Sequence, residues 1–222
     1  MGWRHQGPMD QSGKGERSVM SDLDGSALAL VEQIHRKAPE YLDLLTAEKD
    51  ADFEKAFDTL LEKAVSGLEA NKKNFQNLDE IGLYGALALA LTTPGLAVTQ
   101  ESYSNGHVDL TMQMNHCIPA RKKLGEAKIY DGPAYHIKGL SQLLGRYTTG
   151  REGRGLLVIY FRKTNIAGLV KKLRARMDAD FPCEQQGSTS DHILKWSFLS
   201  THSLKCGNSQ EVGHIGCNLY TD

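Results

Sequence analysis

The sequence predicts an α/β protein in which a mixed β-sheet is flanked by helices, with a helical extension before the sheet and a β-hairpin after it. Two observations lead to this prediction. In the first part of the chain, apolar residues recur at intervals of three and four, which is the period of an amphipathic helix. Beyond residue 94 the segments are shorter, and strand patterns alternate with helix patterns, as in sheets covered by helices.

The helical part begins near residue 24. Residues 26–45 and 52–74 carry apolar stripes at helical spacing, and they hold most of the acidic charge. A third helix is predicted over residues 78–91, where Asp79 and Glu80 in the first turn complement the helix dipole and Pro94 follows the end. This third helix is apolar nearly all round, so we expect it to be buried.

Strand patterns follow. Two strands are predicted on either side of residues 104–106, because Asn105-Gly106 is a strong hairpin turn signal. Further elements are predicted in chain order: a strand at 123–130, a helix at 136–148, a buried strand at 155–161, a basic helix at 166–177 and a hairpin over 193–220. The order gives a mixed sheet with helices against it.

The length of 222 residues suits one domain with an extension rather than two full domains. Residues 1–24 are polar and without an apolar period, so we predict a disordered tail there. Residues 25–74 form the acidic helical extension, and residues 75–222 the main domain. The four cysteines form no CxxC pair, which favours free thiols.

The net charge of −1 hides an asymmetry between the two halves of the chain. Residues 1–110 contain 10 lysines and arginines against 18 aspartates and glutamates, a net −8, and residues 111–222 contain 16 against 9, a net +7. A basic half indicates either a polyanion partner such as nucleic acid or a solvated charged face, and charge alone favours neither.

No segment approaches the roughly 20 apolar residues of a membrane span. The first 20 residues also lack the apolar run of a signal peptide. We therefore expect a cytoplasmic protein with no membrane partner.

Three charged residues are the strongest candidates for chemistry. Asp109 stands between the apolar residues Val108 and Leu110 of its strand, so its carboxylate is expected on the other face. Glu126 and Lys128 are two residues apart on the next strand and should therefore share a face. If the two strands pair, the three side chains converge.

Two carboxylates that lie close together repel each other and favour a shared hard cation. Mg²⁺ suits such a pair, because it takes a few carboxylate oxygens and keeps several water ligands. The ion could activate water beside a phosphate, with Lys128 orienting the nucleophile or adding positive charge. A cross-strand ion pair at a sheet edge is the simpler alternative for the same residues.

The spacing of Asp109 and the Glu126-Ala-Lys128 triplet resembles the PD-(D/E)xK, or restriction-endonuclease-like, nuclease superfamily. The resemblance covers about residues 75–177 and includes the order of elements: a helix, the hairpin with the Asp, the ExK strand, a helix with a Gln, and an apolar strand. Val108 stands where the family has a Pro. Arg146, rather than the Tyr of some branches, stands four residues after Gln142, and Tyr147 follows it.

The resemblance implies a restriction-endonuclease-like fold and a nuclease that hydrolyses phosphodiester bonds, with DNA as the expected substrate and Mg²⁺, or Mn²⁺ as a substitute, as the cofactor. Asp109 and Glu126 would bind the metal, and Glu80 on the preceding helix is a further ligand candidate. For Glu80, complementing the helix dipole is the simpler explanation.

Candidate contacts to nucleic acid form two groups. Gln142 and Arg146 lie on the helix that borders the active site in the family, although a polar pair on an exposed helix face needs no function. Arg121, Lys122 and Lys123 lie next to the ExK strand and are placed to meet phosphates. For the basic helix near residues 170–176, a solvated outer face is a better explanation than a DNA-binding ridge.

Two other hypotheses remain open. The first is a binding or assembly module that keeps the nuclease-like fold without cleaving, with the acidic N-terminal helices as a partner or homodimer surface. The second is a zinc site formed by His202, Cys206, His214 and Cys217. The spacing argues against zinc, because His214 and Cys217 are three residues apart on a strand and point to opposite faces.

Overall fold

The computed structural model describes residues 27–103, 107–117 and 119–222, and of residues 101–109, 146 and 147 it describes at most the backbone. The described helices are α1 (Ala27–Lys37), α2 (Pro39–Thr46), α3 (Asp50–Ala70), α4 (Lys72–Phe75), α5 (Glu80–Leu91), α6 (Pro133–Gln142) and α7 (Ile166–Asp180). The described strands are β1 (Ala97–Tyr103), β2 (His107–Met114), β3 (Arg121–Ile129), β4 (Gly155–Phe161), β5 (Ser190–Asp191), β6 (Phe198–Ser203) and β7 (Ser209–Asn218).

These strands form one mixed sheet of seven strands within the described residues, in the order β1-β2-β3-β4-β7-β6-β5. The β3–β4 and β4–β7 pairs are parallel, and the other neighbours are antiparallel. The α/β class and the mixed sheet flanked by helices are therefore confirmed. The C-terminal hairpin, β6 and β7, is an integral part of the sheet, because β7 lies between β4 and β6.

The sheet has an apolar core on each face. One core lies between the sheet and the helices α3 and α5, and it includes Phe57, Leu87 and Tyr160. The other lies between the sheet and the helices α6 and α7, and it includes Leu140, Leu157 and Leu173. β4 is buried along its whole length, as a central strand covered on both faces must be.

The chain divides into two compact units, residues 1–39 and 40–222. In the first unit, every residue of α1 is exposed or half-exposed, and the predicted tail 1–24 lies outside the described residues. The helix α3, which lies in the predicted acidic extension 25–74, belongs to the second unit and packs in its core. Phe53, Phe57 and Leu61 are the buried residues of α3 that make this contact.

Three local predictions also differ from the structure. The helix predicted over residues 26–45 is broken at Pro39, which lacks the N–H that a continuous helix needs. The helix predicted over 136–148 begins at Pro133 and changes at Leu143 into a π-helical turn. The third helix is not buried all round, since Leu89 is 80% exposed, because α5 covers the sheet with one face only.

Among the residues that the structure describes, no helix has the length and apolar character that crossing a membrane requires.

Candidate functional site

The candidate site lies at the carboxyl end of β3, on the face of the sheet that α6 covers. Glu126 and Lys128 point to this face, whereas Ala127 between them packs in the core beneath α5. The backbone of α6 passes close to Lys128, because a Cβ added at Gly139 would lie 3.2 Å from the Cγ of Lys128. The side chain of Glu126 is only 1% exposed, so the carboxylate is almost removed from water.

The ammonium of Lys128 lies between two carboxylates. Its Nζ is 2.7 Å from Oε1 of Glu126 and 3.6 Å from Oε2 of Glu80. Lys128 is mostly buried, and Glu80 is about a quarter exposed, so the cluster opens toward solvent on the Glu80 side. A buried carboxylate requires a cation or several hydrogen bonds, and Lys128 meets part of that requirement for Glu126.

Glu80 reaches this cluster from the first position of α5. Asp79 caps the helix, since its carboxylate accepts a hydrogen bond of 2.8 Å from the N–H of Gly82. The carboxylate of Glu80 is turned to the sheet instead, where its Oε1 accepts from the backbone N–H of Ile129 at 3.0 Å and from the hydroxyl of Tyr135 at 3.1 Å. Helix-dipole complementation alone does not require these contacts.

Hydrogen bonds from large polar side chains fasten α5 to the sheet near Glu80. Tyr84 donates to the carbonyl of Ala127, and Tyr160 donates to the carbonyl of Leu83 at 3.2 Å. Arg162, directly after β4, donates to the carbonyls of Phe75 and Leu78, which precede the start of α5. The position of Glu80 over the end of β3 is therefore fixed by the strands themselves.

Asp109 lies in β2 at the position next to Leu110. Leu110 pairs with Gly125 in the antiparallel β2–β3 ladder, so the same register places residue 109 beside residue 126. The predicted pairing of the two motif strands is thus present. The side chain of Asp109 lies outside the described residues.

The three basic residues at the start of β3 have different surroundings. Arg121 donates to the carbonyls of Ala47 and Glu48 at 2.6 Å and pairs with Asp50 at 3.1 Å, so it holds the link between α2 and α3. Lys122 is partly exposed and lies on the same strand face as Glu126 by the two-residue alternation.

Lys123, the third predicted phosphate contact, is buried within the protein. It is 1% exposed, and its ammonium lies 2.5 Å from Oε2 of Glu54 on α3, beneath the face opposite to Glu126. Burial lowers the pKa of Lys123, while the charge of Glu54 favours its protonated form. The ammonium of Lys123 therefore forms an internal ion pair with Glu54.

The remaining predicted contacts lie on or near the helices. Gln142 is the last residue of α6 and is half-buried, and Arg146 follows in the π-helical turn with a side chain outside the described part. In α7, Arg176 pairs with Asp180 at 2.5 Å and Arg174 with Asp191 at 2.7 Å. Such ion pairs are typical of a charged helix face that is exposed to solvent.

A second buried polar cluster lies beneath α6. The sequence indicated two of its members, His202 and His214, as zinc-ligand candidates, but not His136 or Ser200. Nε2 of His136 is 2.8 Å from Nδ1 of His214, and the hydroxyl of Ser200 lies 2.6 Å from Nε2 of His214 and 2.7 Å from Nε2 of His202. Nδ1 of His202 is 3.0 Å from the carbonyl of Cys183. Cys217, the fourth residue of the zinc hypothesis, packs instead in the core beneath α3 and α5.

The carbonyl of Cys183 fixes the direction of these hydrogen bonds, because a carbonyl oxygen can only accept. His202 must donate from Nδ1, so Ser200 donates to His202 and accepts from His214. His136 then donates to His214, and Nδ1 of His136 remains a buried acceptor with no hydrogen-bond partner among the described residues. Burial lowers the pKa of His136 to about 3, so its imidazole is neutral at ordinary pH.

The donor chemistry of the first cluster fits a hard cation in part. Glu80 and Glu126 supply carboxylate oxygens, which Mg²⁺ prefers. Within the described part of the chain, no group of three His, Cys, Asp or Glu side chains is arranged to hold a metal ion. A site with three acidic ligands would therefore need a side chain outside the described part, such as that of Asp109.

No protein family matches the chain, and no curated protein or solved structure matches it either.

Proposed function

We propose that the protein is a divalent-metal-dependent nuclease of the PD-(D/E)xK type that hydrolyses phosphodiester bonds, with DNA as the expected substrate. One observation carries the proposal: the carboxylates of Glu126 and Glu80 flank the ammonium of Lys128 at the carboxyl end of β3, where the β2 register brings Asp109 alongside. This arrangement supplies acidic ligands and a fixed positive charge in one place.

The order and pairing of the elements support the restriction-endonuclease-like fold within this proposal. The helix α5, the β1–β2 hairpin, β3, α6 and β4 follow one another as the resemblance requires, and β4 lies parallel to β3. The ExK triplet stands on β3, and the Gln expected on the next helix is Gln142 of α6. These features describe the scaffold. Catalysis would depend on the site residues that the scaffold carries.

Each residue of the site would have a distinct role. Asp109, Glu126 and Glu80 would hold a Mg²⁺ or Mn²⁺ ion, which supplies an activated water and positive charge beside the scissile phosphate. Lys128 would hydrogen-bond the attacking water and offset the negative charge that develops on the phosphate. The burial of Glu126 and Lys128 lowers the local dielectric, which strengthens these interactions.

One observation favours the alternative, a nucleic-acid-binding or assembly module that does not cleave. Lys128 already lies between Glu80 and Glu126, so a protein cation partly neutralises both carboxylates. Such an ion-pair cluster can be purely structural. The two functions differ in whether the cluster binds a divalent ion and supports hydrolysis.

A cleavage assay distinguishes them. Wild-type protein is incubated with plasmid DNA, linear DNA and RNA in Mg²⁺, Mn²⁺ or EDTA, beside Glu126→Gln, Lys128→Ala and the control Lys138→Ala, an exposed lysine on the outer side of α6. We expect metal-dependent cleavage by the wild type and the control, and a loss of about 100-fold or more in both site variants, the scale of losing a transition-state charge contact.

Binding of nucleic acid, measured in EDTA by fluorescence anisotropy, should persist in both site variants. Binding by the wild type without metal-dependent cleavage of any of the substrates would instead establish the non-cleaving module.

A further inference from the structure

The hydroxyl of Tyr135 is the contact that joins α6 to the carboxylate of Glu80. Tyr135 lies in the first turn of α6, which begins at Pro133 after Gly132 at a φ of 100°. Its phenol donates to Oε1 of Glu80 over 3.1 Å, and the two residues come from elements on opposite sides of the β3 end. The tyrosine is half-exposed and so borders the open side of the cluster.

The two oxygens of Glu80 have different partners. Oε1 receives the N–H of Ile129 and the hydroxyl of Tyr135, which are both neutral donors. Oε2 faces Lys128 at 3.6 Å, with the hydroxyl of Tyr84 at 3.4 Å. The donors on Oε1 therefore help to set the rotation of the carboxylate, with Oε2 on the side of Lys128.

Ile129 and Tyr135 belong to different elements, β3 and α6, so their donors approach Oε1 from different directions. Two such donors restrict the carboxylate more than the backbone N–H of Ile129 does by itself. Tyr135 supplies the second donor to Oε1. It does so without a positive charge that would compete with a cation for the carboxylate.

We infer that Tyr135 is a positioning residue of a divalent-cation site: its hydroxyl holds the Glu80 carboxylate in the orientation that presents Oε2 to the ion. The inference rests on the proposed function, because it requires that Glu80 binds a metal. Tyr135 acts through Glu80, so its removal weakens metal affinity rather than the chemical step. Loss of a hydrogen-bond partner of a metal ligand changes metal affinity by about 10- to 100-fold.

The test measures Mn²⁺ binding by isothermal titration calorimetry on the full chain. Tyr135→Phe removes only the hydroxyl, and Tyr41→Phe makes the same change at an exposed tyrosine of α2. We expect a dissociation constant about 10-fold higher for Tyr135→Phe and unchanged for Tyr41→Phe. Thermal unfolding in EDTA should show that both variants keep the wild-type fold.

A double-mutant cycle with Glu80→Gln separates positioning from a general structural effect. If Tyr135 acts through Glu80, then Tyr135→Phe causes no further loss of Mn²⁺ affinity in the Glu80→Gln background. In cleavage assays, kcat of Tyr135→Phe should return to within about twofold of wild type at saturating Mn²⁺, because the hydroxyl touches no reacting atom.

The outcomes are distinguishable. Wild-type protein that binds Mn²⁺ and cleaves, beside a Tyr135→Phe variant of equal affinity, overturns the positioning role and leaves the proposed function standing. If Tyr135→Phe lowers the Mn²⁺ affinity by the same factor in the wild-type and the Glu80→Gln backgrounds, the positioning role is also overturned. Wild-type protein that binds no Mn²⁺ overturns both.

Discussion

Lys128 and Glu126 form an ion pair of 2.7 Å between side chains two residues apart on the same strand. The pair is almost buried, and the second carboxylate of Glu80 lies within 3.6 Å of the same ammonium. The cluster therefore contains two acidic groups for one lysine. Removing the lysine should change both the stability of the protein and its affinity for divalent ions.

Lys128→Met keeps the length of the side chain and removes its charge. Without the ammonium, the Glu80 and Glu126 carboxylates repel each other, and we expect a loss of about 3 kcal/mol in the free energy of unfolding in EDTA. Mn²⁺ should restore much of this loss, because it binds the folded state. Thermal melts with and without Mn²⁺ measure both effects, and a melt unaffected by Mn²⁺ would contradict them.

The basic residues at the start of β3 should separate into nucleic-acid and structural roles. Lys122 is partly exposed on the face of Glu126, so Lys122→Gln should weaken nucleic-acid binding and reduce the salt slope, log K against log salt, by about 0.9 for one duplex phosphate contact. The stability should be unchanged.

Arg121→Gln is the matched change one residue earlier. Its guanidinium holds the carbonyls of Ala47 and Glu48, so this variant should lose about 1–3 kcal/mol of stability, with the salt slope unaltered. Binding isotherms at several salt concentrations and urea unfolding measure the two properties. Equal effects of the two variants on binding would argue against this assignment.

The ion pair of Lys123 and Glu54 should respond unequally to loss of each partner. Glu54→Gln leaves an ammonium that is 1% exposed without its closest charge, at an expected cost of about 3–5 kcal/mol. Lys123→Met leaves a glutamate that still pairs with Arg154 at 3.0 Å, so its cost should be smaller. Urea unfolding of both variants gives the comparison, and the reverse order would contradict it.

The buried histidine chain predicts a stability that falls with acidification. Burial depresses the pKa of His136 to about 3 and lowers the pKa of His202 and His214, so the unfolded chain binds more protons below its own pKa near 6.5. Their contribution is present in full above about pH 6.5 and is lost as the pH falls, in the case of His136 down to about pH 3. Each histidine contributes a slope of up to about 1.4 kcal/mol per pH unit.

His136→Gln tests this origin of the slope, because it keeps an N–H donor for His214 and removes one titrating group. We expect the difference in unfolding free energy between about pH 7.5 and about pH 5 to be smaller than in the wild type. Urea unfolding at both values measures it. An unchanged difference would place the acid sensitivity elsewhere in the protein.

The sequence predicts the local elements well where the signal is local. β4 was predicted over the same residues that form it, because a continuous apolar run between turns permits little else. The place of β7 between β4 and β6 could not be predicted, since strand order depends on contacts between distant segments. The burial of Lys123 had a usable signal, because it shares the two-residue alternation with Ala127, which faces the core.

The site was predictable only in part. Glu126 and Lys128 share a face as their spacing requires, and β2 pairs with β3. The contacts of Glu80 with Ile129 and Tyr135 join residues about fifty positions apart, and no spacing rule anticipates them. The same applies to the chain from His136 to Ser200, whose members come from α6, β7 and β6.

Anomalous diffraction from crystals grown with Mn²⁺ would locate the ion in the site. We expect a manganese peak about 2 Å from carboxylate oxygens of Glu126, Glu80 and Asp109, with Lys128 beside the ion rather than between Glu80 and Glu126. A structure at saturating Mn²⁺ without a peak at Glu126, and with the ammonium of Lys128 still between the two glutamates, would contradict it.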